Sequence, residues 1–399
     1  MNFSDLSSPA FFENPYPLYE RIRCEDAFVS LAPSTVLTGR YAVADALLHD
    51  RRIGKTYMQS VVVRYGEAAW ELPVFQALGR TFLMMNPPTH TRLRALLMKA
   101  FNARQIEKLR DISQSTADAL AGAIAPDSDF DLMKDYALPL PVTIICRLLD
   151  VPVEDGHALG LASSRMIQAI DVAPIDATRL AEANEATLTL ERYFAKVIEM
   201  RRTKPGNDLV SALIFAEEAG ESLTNDEIIS NLLLLFTAGH ETTSNMLGNA
   251  LIALHRHPEQ LMRLRRDPSL MPAAVSECLR YDSSVQVIGR VALEGVQLGN
   301  QSLPRGTVIV VMLGAANRDP SQFQRPDELD IGRNAQSRLL SFGSGIHYCL
   351  GARLALLELE VGLGTLLSRM PTLRLTGLDA LKWQQRNALR GVESLMATY

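Results

Sequence analysis

Along most of the chain apolar residues recur three and four positions apart, the spacing of helices with one buried face. "DISQSTADALAGAIA" and "ATRLAEANEATLTLERYFAKVIEMRR" join that spacing to strong helix formers. "NDLVSALIFAEEAG" is predicted as a further helix, ending near Gly220. The clearest helix begins at Thr224. There "TNDE" sets Thr224 three residues before Glu227, a capping-box pattern. The pattern runs on to Pro258, which stops it. More than thirty residues at 1.5 Å each make roughly 50 Å of helix. A helix so long and apolar is predicted to cross the middle of the domain. Three runs are instead rich in β-branched residues and punctuated by Gly or Pro: "FVSLAPSTVLTGR", "VQVIGRVALEGVQL" and "GTVIVVML". The predicted fold is mainly α with small β-sheets. No repeat, low-complexity tract or Gly/Ser linker divides it, so residues 1–399 are read as a single domain.

Composition narrows the function. The chain has 399 residues, 47% of them hydrophobic, enough for a large core. A net charge of −5 gives no nucleic-acid footprint, although a local basic face can exist on an acidic protein. The four cysteines, Cys24, Cys146, Cys278 and Cys349, stand far apart with no C-x-x-C pair. That excludes a disulfide framework and a zinc cage, and it fits a reducing cytoplasm. The N-terminus lacks a basic stretch followed by an apolar one, so no signal peptide is expected. The most apolar run, "IISNLLLLFTAGHETT", meets His240 and Glu241 too soon for a bilayer span. A soluble, cytoplasmic protein without membrane insertion is expected.

Four segments carry chemistry. In "AGHETT", Gly239 and two threonines weaken the helix interior, and Thr hydroxyls can bond back to carbonyls and bend it. One reading is a kink with a solvated acid. The other is an acid–alcohol pair, Glu241 and Thr242, able to move protons to a bound reactive group. Glu277 and Arg280 in "SECLRY" share a helix face, a weak signal alone. In "NPPTHTRLRALLMKAF", a helix starting after Pro88 puts His90 and Arg94 on one face. That face suits an anion or is simply solvated. In "FGSGIHYCLGARLA", glycines surround Cys349 just before an apolar helix. Glycines let backbone approach a flat ligand, and a helix start favours a thiolate. A nucleophilic cysteine needs a partnered base, and His347, two residues away, is the one histidine nearby. The third glycine of a dinucleotide fingerprint is replaced by Tyr348.

Taken in order, these segments closely resemble the cytochrome P450 family in its soluble bacterial form. Phe342, Gly345, Cys349 and Gly351 satisfy F-x-x-G-x-x-x-C-x-G, and the likeness extends from "NPYPLYERIR" to "RGVESLMA". The resemblance implies a haem (heme b, iron protoporphyrin IX) with Cys349 as the axial thiolate on its iron. By the same resemblance Phe342, Gly343, Gly351, Ala238 and Gly239 border the haem, while His90, Arg94, Arg290 and His347 hold its propionates. Glu241 and Thr242 match the oxygen-activation segment, and Glu277–Arg280 a buried structural pair. Leu356 and Glu328 stand where the family often has arginine, which leaves the third partner of that pair open. Substrate contacts are expected from the loop around Met58–Phe75, from Leu235 and Ala238, from Val285, Val287 and Ile288, and near Leu389. They imply a lipophilic small molecule, free or tethered to a carrier protein.

The resemblance further implies a monomeric monooxygenase fed with electrons from NAD(P)H by an external ferredoxin or flavodoxin and its reductase. Arg92, Lys99, Arg104 and Arg353 are expected to form a basic docking patch for an acidic donor. Natural-product tailoring of a polyketide, peptide or terpene is the expected role. Fatty-acid hydroxylation, peroxide-driven oxygenation and a non-catalytic haem sensor are the alternatives, the last two having no need of Glu241–Thr242.

Overall fold

The reciprocal cap forms as predicted: the Thr224 N–H donates to Glu227 Oε2 (2.9 Å) and the Glu227 N–H to Thr224 Oγ1 (3.2 Å). From it runs the long helix, Asn225–Arg256. Pro258 then opens the next helix, Pro258–Arg266, where its missing N–H costs nothing. The expected weakness at Ala238–Thr243 does not break the long helix. Thr237 Oγ1 donates to Leu233 O (2.8 Å) and His240 Nδ1 bonds Phe236 O (2.8 Å), both within an intact ladder. Gly239 serves packing instead: a Cβ there would lie 3.3 Å from Ile145 Cδ1 in the helix Pro139–Leu149.

The computed structural model describes residues 3–101, 103–171, 174–218, 220–298, 301–333 and 338–399. Two compact units emerge. The first comprises Met1–Gly54, Ser113–Leu140 and Thr242–Tyr399. It holds a five-stranded sheet in the order Val29–Ala32, Thr35–Thr38, Val308–Met312, Val287–Ala292, Ile53–Gly54. Only the Thr35–Thr38 and Val308–Met312 pair runs parallel. All three predicted strand runs lie in this unit; "VQVIGRVALEGVQL" also supplies Val296–Leu298 of a separate hairpin. Alternate residues Ile309 and Val311 pack with Ala292, Val296 and Leu303 against Tyr41, Leu47 and Leu48 of the helix Tyr41–His49. The helix after the cysteine, Ala352–Arg369, is called the cysteine helix below.

The second unit comprises Lys55–Ile112 and Pro141–Glu241 and is mostly helical. Here two sequence expectations are corrected. "NDLVSALIFAEEAG" forms only the short helix Leu209–Ile214, capped by Asp208 accepting from the Ser211 N–H (2.8 Å). The chain then turns back, pairing Glu217–Glu218 with Glu221–Ser222, so Gly220 (φ +82°) belongs to a hairpin rather than a helix end. The Met58–Phe75 stretch is largely helical as well, within Tyr57–Tyr65 and Pro73–Gly79. Among the described residues no helix is long and apolar enough to cross a membrane.

Candidate active site

The segment Phe342–Gly351 forms a tight loop laid on the end of the helix Tyr41–His49. Gly343 and Gly345 both sit at φ +67°, a conformation costly for any residue with a Cβ. At Gly345 a Cβ would come within 1.9 Å of Leu48 O, backbone against backbone. Ser344 is buried, its Oγ 3.3 Å from both Asp45 Oδ1 and His49 Nε2. The Tyr41 hydroxyl donates to Arg338 O (2.6 Å), and the Arg338 guanidinium stacks 4.4 Å over the Tyr348 ring. One helix therefore fixes the whole loop. The Cys349 N–H donates to Phe342 O (3.0 Å) and closes it. Gly351 caps the cysteine helix, and a Cβ there would meet no protein atom within 4 Å. Phe342, His347 and Cys349 are half-buried.

This geometry predicts a contrast. Gly345→Ala should cost on the order of 2–4 kcal/mol, left-handed strain plus a backbone clash. Gly343→Ala shares the same φ, but its nearest neighbour, His347 O, lies 3.9 Å away, so only about 1–2 kcal/mol of strain is expected. Urea denaturation of both variants measures the difference; equal losses would mean the loop does not rest on Leu48.

On the long helix, positions from Ser230 to Leu254 are buried except Leu235, Ala238, Gly239 and Thr242. Those four fall at i, i+3, i+4 and i+7 and form one accessible stripe. Thr242 is on the stripe and Glu241 is buried beside it, so acid and alcohol occupy different faces. His240, which the sequence reading left without a role, is fully buried. Its Nε2 lies 3.4 Å from Ser163 Oγ in the helix Gly156–Ile167. Burial lowers its pKa to about 4, with the Phe236 carbonyl opposing, so at neutral pH it is an uncharged tie between helices.

The helix Thr89–Ala100 starts after Pro88 and gives His90 and Arg94 a common face. The His90 ring lies 6.1 Å from the Phe82 ring and the Arg94 guanidinium 5.9 Å over it. Arg290, on Val287–Ala292, is buried, with Nη1 donating to Gly289 O (2.9 Å). Burial alone lowers its pKa to about 10, and among the described residues no carboxylate offsets it. A buried cation, a thiol at a helix start and a glycine loop bare on one side are the donor set of an iron porphyrin with acidic side chains. The residues of the first unit thus fit the group that the sequence reading expects.

Of the expected substrate contacts, Leu235, Ala238, Val285 and Ile288 retain accessible surface. Val287 and Leu389 are buried. Val285 and Leu389 pair across a short bridge held by Gln286 N–H to Ala388 O (2.9 Å) and Arg390 N–H to Ser284 O (2.7 Å). Val287 pairs with Met312 inside the sheet.

The Glu277–Arg280 pair is a bidentate fork, 2.8 and 2.9 Å, with Arg280 1% and Glu277 4% exposed. Arg280 also donates to the carbonyls of Asn317 (3.2 Å), Pro326 (2.6 Å) and Glu328 (2.9 Å). The missing third partner is Arg333, whose Nε reaches both Glu277 oxygens at 3.0 and 3.1 Å. Glu328 takes part through its backbone instead of its side chain. The expected basic patch is less free than its charges suggest. Arg92 pairs with Glu227 and with Glu221 (3.3 Å), and Lys99 donates to Glu217 O (2.9 Å). Arg353 is exposed, and the Arg104 side chain lies outside the described residues.

The family model for cytochrome P450 matches residues 33–373. Cytochrome P450 133B1 of Xylella fastidiosa is 54% identical over 99% of this chain and 98% of its own. The vitamin D(3) 25-hydroxylase of Pseudonocardia autotrophica is 37% identical over 99% and 96%. Among solved structures, P450BioI in complex with a hexadec-9Z-enoic acid ligated acyl carrier protein superposes with TM-score 0.90 and 33% identity, covering 98% of this chain and 100% of that one. The Bacillus subtilis bacillaene polyketide synthase cytochrome P450 PksS superposes with TM-score 0.89 and 34% identity, covering 98% of each. Chains of this kind are oxidoreductases that incorporate oxygen from O2 and carry a haem with a thiolate ligand. The sequence motifs, the clamped cysteine loop and these likenesses agree: the chain belongs to the cytochrome P450 family and is a monooxygenase.

Proposed function

We propose that this chain is a single haem domain in which Cys349 is the axial ligand, and that it oxygenates a lipophilic natural-product intermediate. The observation that carries the reading is the cysteine loop, closed on itself through the Cys349 N–H and Phe342 O and pinned to the helix Tyr41–His49. When bound, the haem supplies oxygen binding and redox chemistry, with thiolate donation favouring O–O cleavage. The chain's part is to hold and neutralise that group. Gly343 and Gly351 would let the loop backbone lie close to it, with Phe342 bordering it. In the first unit Arg290 and His347 would balance its carboxylates, the role that the family resemblance gives to His90 and Arg94 as well. Thr242, on the accessible stripe, holds a proton at its hydroxyl. Glu241, buried beside it, would be the acid that supplies that proton.

Leu235 and Ala238 on the long helix are apolar and accessible, as are Val285 and Ile288 in the first unit, and such side chains suit a lipophilic substrate. A structural neighbour holds a C16 acyl chain on an acyl carrier protein and another belongs to a polyketide synthase. Both likenesses support an acyl or polyketide intermediate, free or carrier-bound. Electrons would come from NAD(P)H through a ferredoxin or flavodoxin and its reductase in the cytoplasm.

Thr242→Ala should leave substrate affinity, read from the spin-state shift of the haem band, within about twofold, because it removes a hydroxyl and not the apolar wall. Product per O2 consumed should fall about tenfold or more as oxygen is released unproductively. Substrate titration and oxygen-electrode measurements check both. Unchanged coupling, or full turnover with peroxide alone, would favour the peroxide-driven alternative.

A further inference from the structure

The cysteine helix, Ala352–Arg369, carries an acid that its apolar packing face does not explain. Glu358 is 1% exposed. It hydrogen-bonds the Thr243 side chain, and its Oε2 has no protein partner among the described residues. One turn further along each helix, Gly362 packs on Leu247, where a Cβ on the glycine would lie 3.0 Å from Leu247 Cδ2. The Glu358–Thr243 contact is therefore in register with the packing of two core helices. Burial pushes the carboxyl well above the ordinary carboxylate range, and the Thr243 hydroxyl pulls only partly the other way. An ionised group there would be an uncompensated charge in the core. Glutamine could make the same contact and leucine could fill the same space. What an acid adds is a transferable proton.

We propose that Glu358 is a proton-holding and positioning residue for oxygenation: one oxygen accepts from Thr243, fixing the turn that follows Thr242, and the other carries an acid proton. This rests on the monooxygenase reading above. Inserting one oxygen atom and releasing the other as water consumes two protons and two electrons per O2, the electrons coming from the external donor. Glu358 releases its proton to that demand, the Thr243 hydroxyl steadies the carboxylate left behind, and a proton from solvent restores the acid.

In the haem-loaded protein at neutral pH, the infrared difference between native and Glu358→Gln should contain the carbonyl stretch of a protonated carboxylic acid, shifted in D2O. Glu358→Gln should lower product per O2 severalfold, with substrate affinity and the carbonyl-complex spectrum unchanged. Thr243→Val should leave the acid band present but move it, because the carboxyl loses its hydrogen-bond donor. Absence of the band in the native protein would overturn the proposal. So would native coupling in Glu358→Gln beside impaired coupling in Glu358→Leu, which would leave the residue a packing element. If the native protein lacked the thiolate-type carbonyl spectrum, the haem-thiolate reading would fail first; the infrared arm would still decide whether Glu358 is protonated.

Discussion

Glu277→Ala should leave almost no folded, haem-loaded protein. Glu277 is the one acid between two guanidinium groups, Arg280 at 2.8 Å and Arg333 at 3.0 Å. Arg280 is 1% exposed and cannot reach water when its partner is removed. Breaking one side of a buried ion pair costs about 3–5 kcal/mol, most of it the penalty of the stranded charge. Whole-domain stability is about 5–15 kcal/mol, so that loss removes much of the margin. The cost is also local. The same network gathers the carbonyls of Asn317, Pro326 and Glu328, and the Asp330 N–H donates to Glu277 Oε1 (2.9 Å). Arg333→Ala should be milder, because Arg333 is 12% exposed and its removal leaves the Glu277–Arg280 fork intact. Soluble yield, haem content and the urea midpoint measure both variants. A native midpoint for Glu277→Ala would mean that the network is not made.

Much of this network was legible locally and little of it globally. Glu277 and Arg280 are three apart on one helix, which spacing alone reveals. Arg333 is 56 residues from Glu277, and its approach depends on the path of an irregular segment. No periodicity encodes that path. Residue correspondence pointed to position 328 instead, where the chain contributes a carbonyl. The clamp on the cysteine loop was equally hidden: Ser344 meets Asp45 and His49 across 299 and 295 residues. Helix caps fared better because both partners lie within one turn, as Thr224 and Glu227 show. The hairpin at Gly220 was misread because Glu217, Glu218 and Glu221 are good helix formers, and strand pairing outweighed propensity. The unbroken helix at Gly239 teaches the converse: a glycine that weakens propensity can be there for contact, in this case with Ile145. Glu358 belongs to no motif and has no charge partner at helical spacing that marks it, and only its burial in the fold gives it a role.

The second large effect concerns Cys349. Cysteine and serine differ little in size, and the loop's hydrogen bond from residue 349 N–H to Phe342 O is backbone only, so Cys349→Ser should fold. A serine hydroxyl does not ionise near neutral pH, so it cannot offer an iron the thiolate that a cysteine offers. Soft thiolate donation is what distinguishes cysteine-ligated haems from histidine-ligated ones. Loss of the sulfur should therefore abolish monooxygenase turnover while leaving secondary structure unchanged. The other three cysteines cannot replace it in this loop: Cys146 and Cys278 are buried, with burial pushing both thiols up, and Cys24 lies on the helix Tyr16–Glu25.

The most direct measurement is the absorption spectrum of the reduced carbonyl complex, taken on the native protein and on Cys349→Ser side by side. The native protein should give the red-shifted Soret band of thiolate-ligated haem, and Cys349→Ser should lose it. A native-type band that survives in Cys349→Ser would contradict the assignment of Cys349 as the axial ligand.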